Sequence, residues 1–187
     1  MGDLISAKIE ADALGEYYAK LCILQSDAHG ADYLLVHDEI RCRLKGGYSY
    51  TEFGINQGAT LAAAVLALPD YVRAYDIKLG WYDEAADLFE QYAWAWGVDF
   101  EVIESDTLDC TIDPVDVLYI DTLHKKDHLL KEVALHADKV RRYIIFHDTT
   151  YAPGLKQAVL QFVGGGDEWR VVTECTDSVG FMTIERV

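Results

Sequence analysis

The feature that most constrains the fold is a regular alternation of two kinds of segment from Tyr50 onward. Short runs rich in β-branched and aromatic residues predict strands, and longer runs with helical periodicity predict the helices between them. The predicted strands are residues 50–53, 72–77, 100–103, 115–120 and 143–146, and the predicted helices are residues 60–68, 82–96, 125–137 and 153–163. Such alternation predicts an α/β fold with a doubly wound, mostly parallel sheet and helices on both faces.

Both ends of the chain depart from this alternation. Residues 4–25 and 31–44 predict two leading helices, separated by a breaker at 27–30, and we interpret residues 1–45 as a helical extension or lid on a core of residues 46–187. Two closing runs, 169–175 and 181–185, are separated by too few residues for a parallel crossover, so they predict an antiparallel hairpin and a seven-stranded sheet in a single domain. The segment between Ser105 and Val115 is too short for a full helix.

Composition restricts the class of protein. The 187 residues are 51% hydrophobic, and they contain neither an apolar run of membrane-spanning length nor a recognisable secretory signal. The four cysteines form no CxxC pair, so a reduced, cytoplasmic setting is expected. A formal charge of −16 disfavours nucleic acid and anionic membranes as partners. A small-molecule substrate is therefore the prediction.

The most informative segment, residues 50–60, reads YTEFGINQGAT and runs from a strand through a glycine-bearing turn into a helix. Glycines allow the backbone to approach a ligand closely, and a helix N-terminus presents free N–H groups. Asp76 follows the next predicted strand, 18 residues beyond Gly58. A doubly wound fold places an acid at that position to bind ribose hydroxyls, so the segment predicts a site for a nucleotide-like cofactor.

These motifs resemble the class I, Rossmann-like methyltransferases that use S-adenosylmethionine (SAM). The likeness comprises the E-x-G-x-x-x-G-x-T pattern at residues 52–60, and "IDTLH" and "FHDT" where the predicted fourth and fifth strands end. Sugar and macrolide O-methyltransferases are among the enzymes that the chain resembles. The resemblance implies SAM as cofactor, with contacts from eight residues: Glu52, Gly54, Asn56, Gly58, Thr60, Asp76, Asp106 and Thr107.

The same resemblance implies catalytic residues at the ends of the fourth and fifth strands. Asp121 would face the methyl group and the acceptor, and His124 or His147 could take the acceptor's proton. Related enzymes bind Mg²⁺ there, which suggests Asp121 and Asp148 as ligands. Imidazole suits Mg²⁺ poorly, so metal-assisted and metal-free transfer both stay open. The predicted function is O-methylation of a small, hydroxylated, sugar-like acceptor.

Two other functions fit the same residues. An NAD-dependent oxidoreductase would also use a glycine turn and Asp76, although its glycines should follow G-x-G-x-x-G. A catalytically inactive methyltransferase-like module would bind a partner through the leading helices. The uncovered sheet face predicted near residues 105–115 indicates a homo-oligomer.

Aromatic and histidine residues give further expectations. We expect Trp81 and Tyr82 to cover an adenine ring or a sugar, and Trp94 and Trp96 to belong to the core. The histidines outside the two strand-end motifs are expected on helix surfaces or in loops; they are His29, His37, His128 and His136.

Overall fold

A computed structural model describes the backbone of residues 2–44, 47–80 and 82–187, and side chains within those ranges from residue 13 onward. Its helices are α1 (Gly2–His29), α2 (Leu35–Arg43), α3 (Ala59–Val65), α4 (Ala86–Trp96), α5 (Lys126–His136) and α6 (Pro153–Val163). Its strands are β1 (Ser49–Phe53), β2 (Tyr71–Asp76), β3 (Asp99–Glu104), β4 (Val115–Ile120), β5 (Val140–His147), β6 (Trp169–Cys175) and β7 (Phe181–Arg186). None of the described helices has the length and hydrophobicity that a bilayer crossing requires.

The described strands form one seven-stranded sheet in the order β3-β2-β1-β4-β5-β7-β6. Strands β1 to β5 pair in parallel, whereas β7 is antiparallel to both β5 and β6. The predicted α/β class, the mostly parallel sheet and the closing hairpin are therefore confirmed. The segment 105–114 contains no helix, as its length predicted.

Two apolar clusters pack against the two faces of this sheet. Residues of α2, α3 and α4 line one cluster, and residues of α5 and α6 line the other. The central strands β1 and β4 are buried along most of their length because helices cover both faces of the sheet. The sheet thus delivers the carboxyl ends of its central strands to one edge between the two helical layers.

The N-terminal region is more continuous than the sequence indicated. The first helix runs to His29, through most of the predicted breaker, and ends at Gly30, whose φ of +88° suits glycine. A 3₁₀ turn at Ala31–Leu34 then leads into α2. The predicted boundary at 45 and 46 falls on residues outside the described part, so the division into lid and core stays a prediction.

Several side-chain expectations were wrong. Trp94 and Trp96 are exposed, because α4 directs its other face, with Phe89 and Ala93, toward the core. His37 and His136 are buried and not on the surface. Each has a polar partner: His37 Nδ1 lies 3.1 Å from the Tyr18 hydroxyl, and His136 Nε2 lies 2.7 Å from the Thr107 carbonyl oxygen.

Candidate functional site

The site forms where the strand order reverses, between the carboxyl ends of β1 and β4. In open α/β sheets this crevice is where ligands bind. Gly54 follows β1 directly and has a φ of +86°, and an added Cβ would lie 1.9 Å from the Asp121 carbonyl oxygen. Only glycine fits here, because any side chain would overlap the main chain at the end of β4.

The turn after Gly54 is held in shape by Asp76, at the end of β2. The Asp76 Oδ2 atom accepts hydrogen bonds from the backbone N–H groups of Ile55 at 2.7 Å and Asn56 at 3.2 Å. Its Oδ1 atom accepts another from the N–H of Lys78 at 3.1 Å. The predicted ribose-binding acid therefore also shapes the glycine turn on which a cofactor would lie.

A cavity of about 490 Å³ opens beside this turn. Its polar lining includes the carboxylates of Asp76, Asp106 and Asp121, and its apolar lining includes Ile77 and Leu123. Those two side chains are 65% and 50% exposed, so a flat aromatic ring bound against them would remove apolar surface from water. The remaining lining residues are Gly54, Tyr75, Ser105, Thr107, Leu108, Thr122 and His128.

Glu52 lies on β1 beneath the turn and is fully buried. Its carboxyl group accepts hydrogen bonds from the hydroxyls of Tyr50 and Thr60, each at 2.7 Å. Burial raises the pKa of Glu52 to about 8, although these two hydrogen bonds act in the opposite direction. Glu52 is thus an acid that is substantially protonated at neutral pH, placed under the loop that would carry the cofactor.

On the other side of Asp121, four ionisable side chains form a connected cluster. His147 Nδ1 lies 3.2 Å from Asp121 Oδ2 and 3.6 Å from Asp148 Oδ1. His124 Nε2 lies 2.7 Å from Asp148 Oδ2 and 3.5 Å from Asp121 Oδ1. Each histidine therefore faces both carboxylates, and we call Asp121, His124, His147 and Asp148 the strand-end cluster.

Charge pairing shifts the titration of this cluster. Burial opposes the ionisation of Asp121, but His147 and His124 hold its pKa below the ordinary range. The hydrogen bond to Asp121 raises the pKa of His124. Burial alone would lower the pKa of His147, yet Asp121 and Asp148 raise it. Burial also raises the pKa of Asp148. Protonated imidazole beside Asp121 is the arrangement that these interactions stabilise.

The N-terminal helices reach both parts of the site. The Tyr17 hydroxyl donates to the Gln57 carbonyl oxygen in the glycine turn at 2.8 Å. The Tyr33 ring meets His147 edge-on, with centroids 5.3 Å apart. Near the cluster, the Ser178 hydroxyl donates to the carbonyl oxygen of His29 at 3.1 Å. Residues of the predicted lid therefore contact the turn and the cluster directly.

Most of the predicted site residues lie together at this edge. The cavity is lined by Gly54, Asp76, Asp106, Thr107 and Asp121, and the strand-end cluster contains all three predicted catalytic residues and both predicted metal ligands. The other predicted cofactor residues do not line the cavity; they are Glu52, Asn56, Gly58 and Thr60. Two of them shape the turn through positive φ angles, +50° at Asn56 and +78° at Gly58.

The sequence did not predict the positions of all the residues at the site. Glu132 and His128 were not selected, although their spacing of four residues on a predicted helix could have indicated a pair. Tyr82 was expected to cover a ligand but is buried against Phe89, with ring centroids 5.3 Å apart. The expectation for Trp81 lies outside the described residues.

With the fold and this geometry in hand, comparison with known proteins identifies the architecture. Neither a protein-family model nor a curated protein sequence matches the chain. Solved structures do, and they show the Rossmann-like fold of class I SAM-dependent methyltransferases.

Three of these solved structures show how different the similar proteins are. The O-methyltransferase TomG of Streptomyces achromogenes, in complex with SAM, has 14% identity and a TM-score of 0.67 over 92% of this chain and 90% of that one. An O-methyltransferase from Bacillus cereus, with bound S-adenosylhomocysteine (SAH), has 12% identity and a TM-score of 0.65 over 95% and 90%. A ribosomal protein L11 methylase from Lactobacillus delbrueckii subsp. bulgaricus has 17% identity and a TM-score of 0.62 over 84% and 79%. One fold thus serves quite different acceptors.

Proposed function

We propose that the chain is a SAM-dependent methyltransferase that transfers a methyl group to a hydroxyl of a small, sugar-like acceptor. The observation that carries the cofactor assignment is the 490 Å³ cavity beside the glycine turn, whose lining combines the Asp76 carboxylate with the apolar side chains of Ile77 and Leu123. A ribose diol can bond to Asp76 while an adenine ring lies against Ile77 and Leu123. The SAM and SAH bound to TomG and to the Bacillus cereus enzyme support the same choice.

The reacting groups follow from the position of Asp121, which belongs to both the cavity and the strand-end cluster. SAM supplies an electrophilic methyl group on a sulfonium sulfur. On transfer to an acceptor hydroxyl, the electrons of the S–C bond would stay with the sulfur and the hydroxyl proton would have to pass to a residue of the chain. His124 is the residue we assign as base, because its side chain is 39% exposed whereas that of His147 is 2% exposed. Its Nε2 faces Asp148, so in the neutral ring, which is the form above its raised pKa, Nδ1 is left to receive the proton. Asp121 then stabilises the imidazolium that results.

The donor atoms of the cluster do not fit the Mg²⁺ suggested by the resemblance. Asp121, His124 and Asp148 bring one ligand atom each within 4.8 Å of one another. One of the three is an imidazole nitrogen already paired with Asp148 at 2.7 Å, whereas Mg²⁺ prefers oxygen ligands and water. We therefore derive no step through a metal, and Asp121 and Asp148 act here as partners of the two histidines.

The charge of the chain bears on its partners. The net charge of −16 supports a small-molecule acceptor over nucleic acid or a membrane surface, and we keep the cytoplasmic setting and the homo-oligomer as predictions. Light scattering tests the assembly, since a mass of 21.0 kDa would exclude it. A glycine turn and an acid would also suit NAD, but Gly54 and Gly58 do not follow the G-x-G-x-x-G spacing, and the structures similar to this chain include methyltransferases with bound SAM or SAH.

Isothermal titration of the full chain with SAH, and separately with NAD, tests the cofactor. We expect micromolar SAH binding, with no heat from NAD. Asp76→Ala should weaken SAH binding by about tenfold or more, because hydrogen bonds to a charged group contribute roughly 1.5–3 kcal/mol each. The matched control is Asp83→Ala, an exposed acid outside this cavity. A folded protein that binds no SAH would contradict the proposal and favour the inactive module.

A further inference from the structure

A buried carboxylate outside the reacting groups connects the two walls of the cavity. Glu132 of α5 is fully buried. It accepts hydrogen bonds from the hydroxyls of Thr107, at 2.6 Å, and Thr122, at 2.9 Å. Thr107 belongs to the loop after β3 and Thr122 to the loop after β4, and both line the cavity. One side chain therefore fixes the spacing of two loops that would enclose a bound ring.

The third partner of Glu132 is a histidine that also lines the cavity. His128 lies one turn earlier on α5, and its Nε2 atom is 3.2 Å from Glu132 Oε1. Burial raises the pKa of Glu132, while Thr107, His128 and Thr122 act in the opposite direction. Two hydroxyl groups and an imidazole nitrogen surround its oxygens, and such contacts favour the ionised, acceptor-only form of the carboxyl group.

This arrangement selects one form of the imidazole ring. A carboxylate that accepts from Nε2–H leaves the other ring nitrogen, Nδ1, without a proton in the neutral imidazole. The His128 side chain is 18% exposed and lines the cavity, so the part of the ring that does not face Glu132 is open to a ligand. His128 therefore offers the cavity a hydrogen-bond acceptor whose character is set by Glu132.

We infer that His128, oriented by Glu132, recognises the exocyclic amino group of the purine ring and makes the cavity selective for an adenine over a 6-oxopurine. An amino group donates to Nδ1, whereas a carbonyl oxygen at the same position faces a second acceptor and leaves both groups unpaired. A site built to bond a donor rejects a ligand that lacks it, because its own polar atom loses its partner. This inference rests on the proposed SAM-dependent function.

The test compares the binding of SAH with that of S-inosylhomocysteine, its 6-oxo analogue, by titration calorimetry. We expect the wild-type chain to prefer SAH by at least tenfold. His128→Leu should reduce this preference about tenfold, mainly by weakening SAH. Glu132→Gln should also reduce it, because the amide can donate to Nε2 and favour the proton on Nδ1, which then faces the ligand as a donor.

A merely structural role is distinguished by the ratio of the two affinities. His136→Gln is the matched control, since His136 contacts the Thr107 carbonyl oxygen but does not line the cavity. It should weaken both ligands equally and leave the ratio unchanged. Wild-type binding of SAH with an unchanged ratio in both His128→Leu and Glu132→Gln overturns this inference alone. A folded wild-type chain that binds neither ligand overturns the proposed function, and this inference with it.

Discussion

The two halves of the sheet edge are built in different ways. On the β1–β2 side, backbone groups form the site: Gly54 lies against the main chain of Asp121, and Asp76 accepts three backbone N–H groups. On the β4–β5 side, side chains form it, through the pairing of Asp121, His124, His147 and Asp148. The cavity of about 490 Å³ opens beside the first half and extends to the residues that follow β4, whereas the pocket beside His124 and His147 has a volume of only about 10 Å³.

The two halves therefore differ in how much substitution they tolerate. A site made by backbone depends on φ angles and close approach, so few substitutions are tolerated. A site made by side chains can be altered without changing the path of the chain, which suits the part of an enzyme that faces variable acceptors. Substitutions confined to one half test whether the two halves are separable in this way.

The largest effect is expected where the backbone half is tightest. Gly54→Ala should lower the free energy of unfolding by about 4 kcal/mol or more, because the new Cβ would overlap the Asp121 carbonyl oxygen at 1.9 Å. Gly97→Ala is the control, since Gly97 has a φ of +71° with no atom within 4 Å of the added Cβ. It should cost only about 1–2 kcal/mol for the backbone conformation. Urea unfolding measures both, and equal losses would show that the contact is unimportant.

A second large effect concerns the buried acid beneath the turn. The pKa of Glu52 is about 8 in the folded chain and 4.5 in its ordinary environment, so between these values the folded state holds a proton that the unfolded state has released. The stabilisation that this proton gives the folded state is fully present below a pH of about 4.5. It is lost as the pH rises toward 8, at about 1.4 kcal/mol per pH unit. Glu52→Gln removes this dependence.

The measurement is urea unfolding of both proteins between pH 5 and 9. Glutamine can still bond to Tyr50 and Thr60, and the other titratable groups are common to the pair. Glu52→Gln should therefore become more stable relative to wild type, by up to about 4 kcal/mol, as the pH rises. If the free energies of unfolding of the two proteins changed with pH in parallel, Glu52 would ionise normally.

The smallest of the three effects addresses the side-chain half. Asp121→Asn keeps the shape of the side chain but removes the charge that stabilises His147 and His124 in their protonated forms. Turnover should fall about a hundredfold, which is within the usual range for acid–base catalysis, while SAH affinity changes less than about twofold. The assays are initial rates with an acceptor found by screening hydroxylated compounds, and SAH titration.

Asp116→Asn provides the comparison for that variant. Asp116 lies at the opposite end of β4, where it pairs with Arg141 at 3.1 Å. Its loss should leave turnover per folded molecule unchanged. An Asp121→Asn enzyme with full activity would remove Asp121 from the mechanism, and one that no longer binds SAH would show that the two halves are not separable.

Most of the fold could be predicted because its signals are local. Strand and helix periodicity, the short segment after Ser105 and the narrow gap before the last strand all follow from residue spacing. The placement of Asp121, His124, His147 and Asp148 at one edge follows too, since parallel strands end together. These residues needed no knowledge of side-chain contacts.

What could not be predicted depends on contacts between distant segments. Glu132 looks like an ordinary helix-surface acid until Thr107 and Thr122 are brought to it from two loops. Trp94 looks like a core residue until the direction of α4 is known. The positive φ of Asn56 likewise reflects the turn that Asp76 holds in place, and nothing in the residue itself required it.

The three backbone bonds to Asp76 have a thermodynamic consequence. A carboxylate has about four acceptor positions, and here three are already occupied by loop N–H groups. The loop is therefore ordered before any ligand arrives, so association loses little conformational entropy of the chain. Because three positions are occupied, about one acceptor position of Asp76 remains for a ribose diol. Its second hydroxyl must displace a loop N–H or bond elsewhere, which makes the loop and the sugar competitors for one anion.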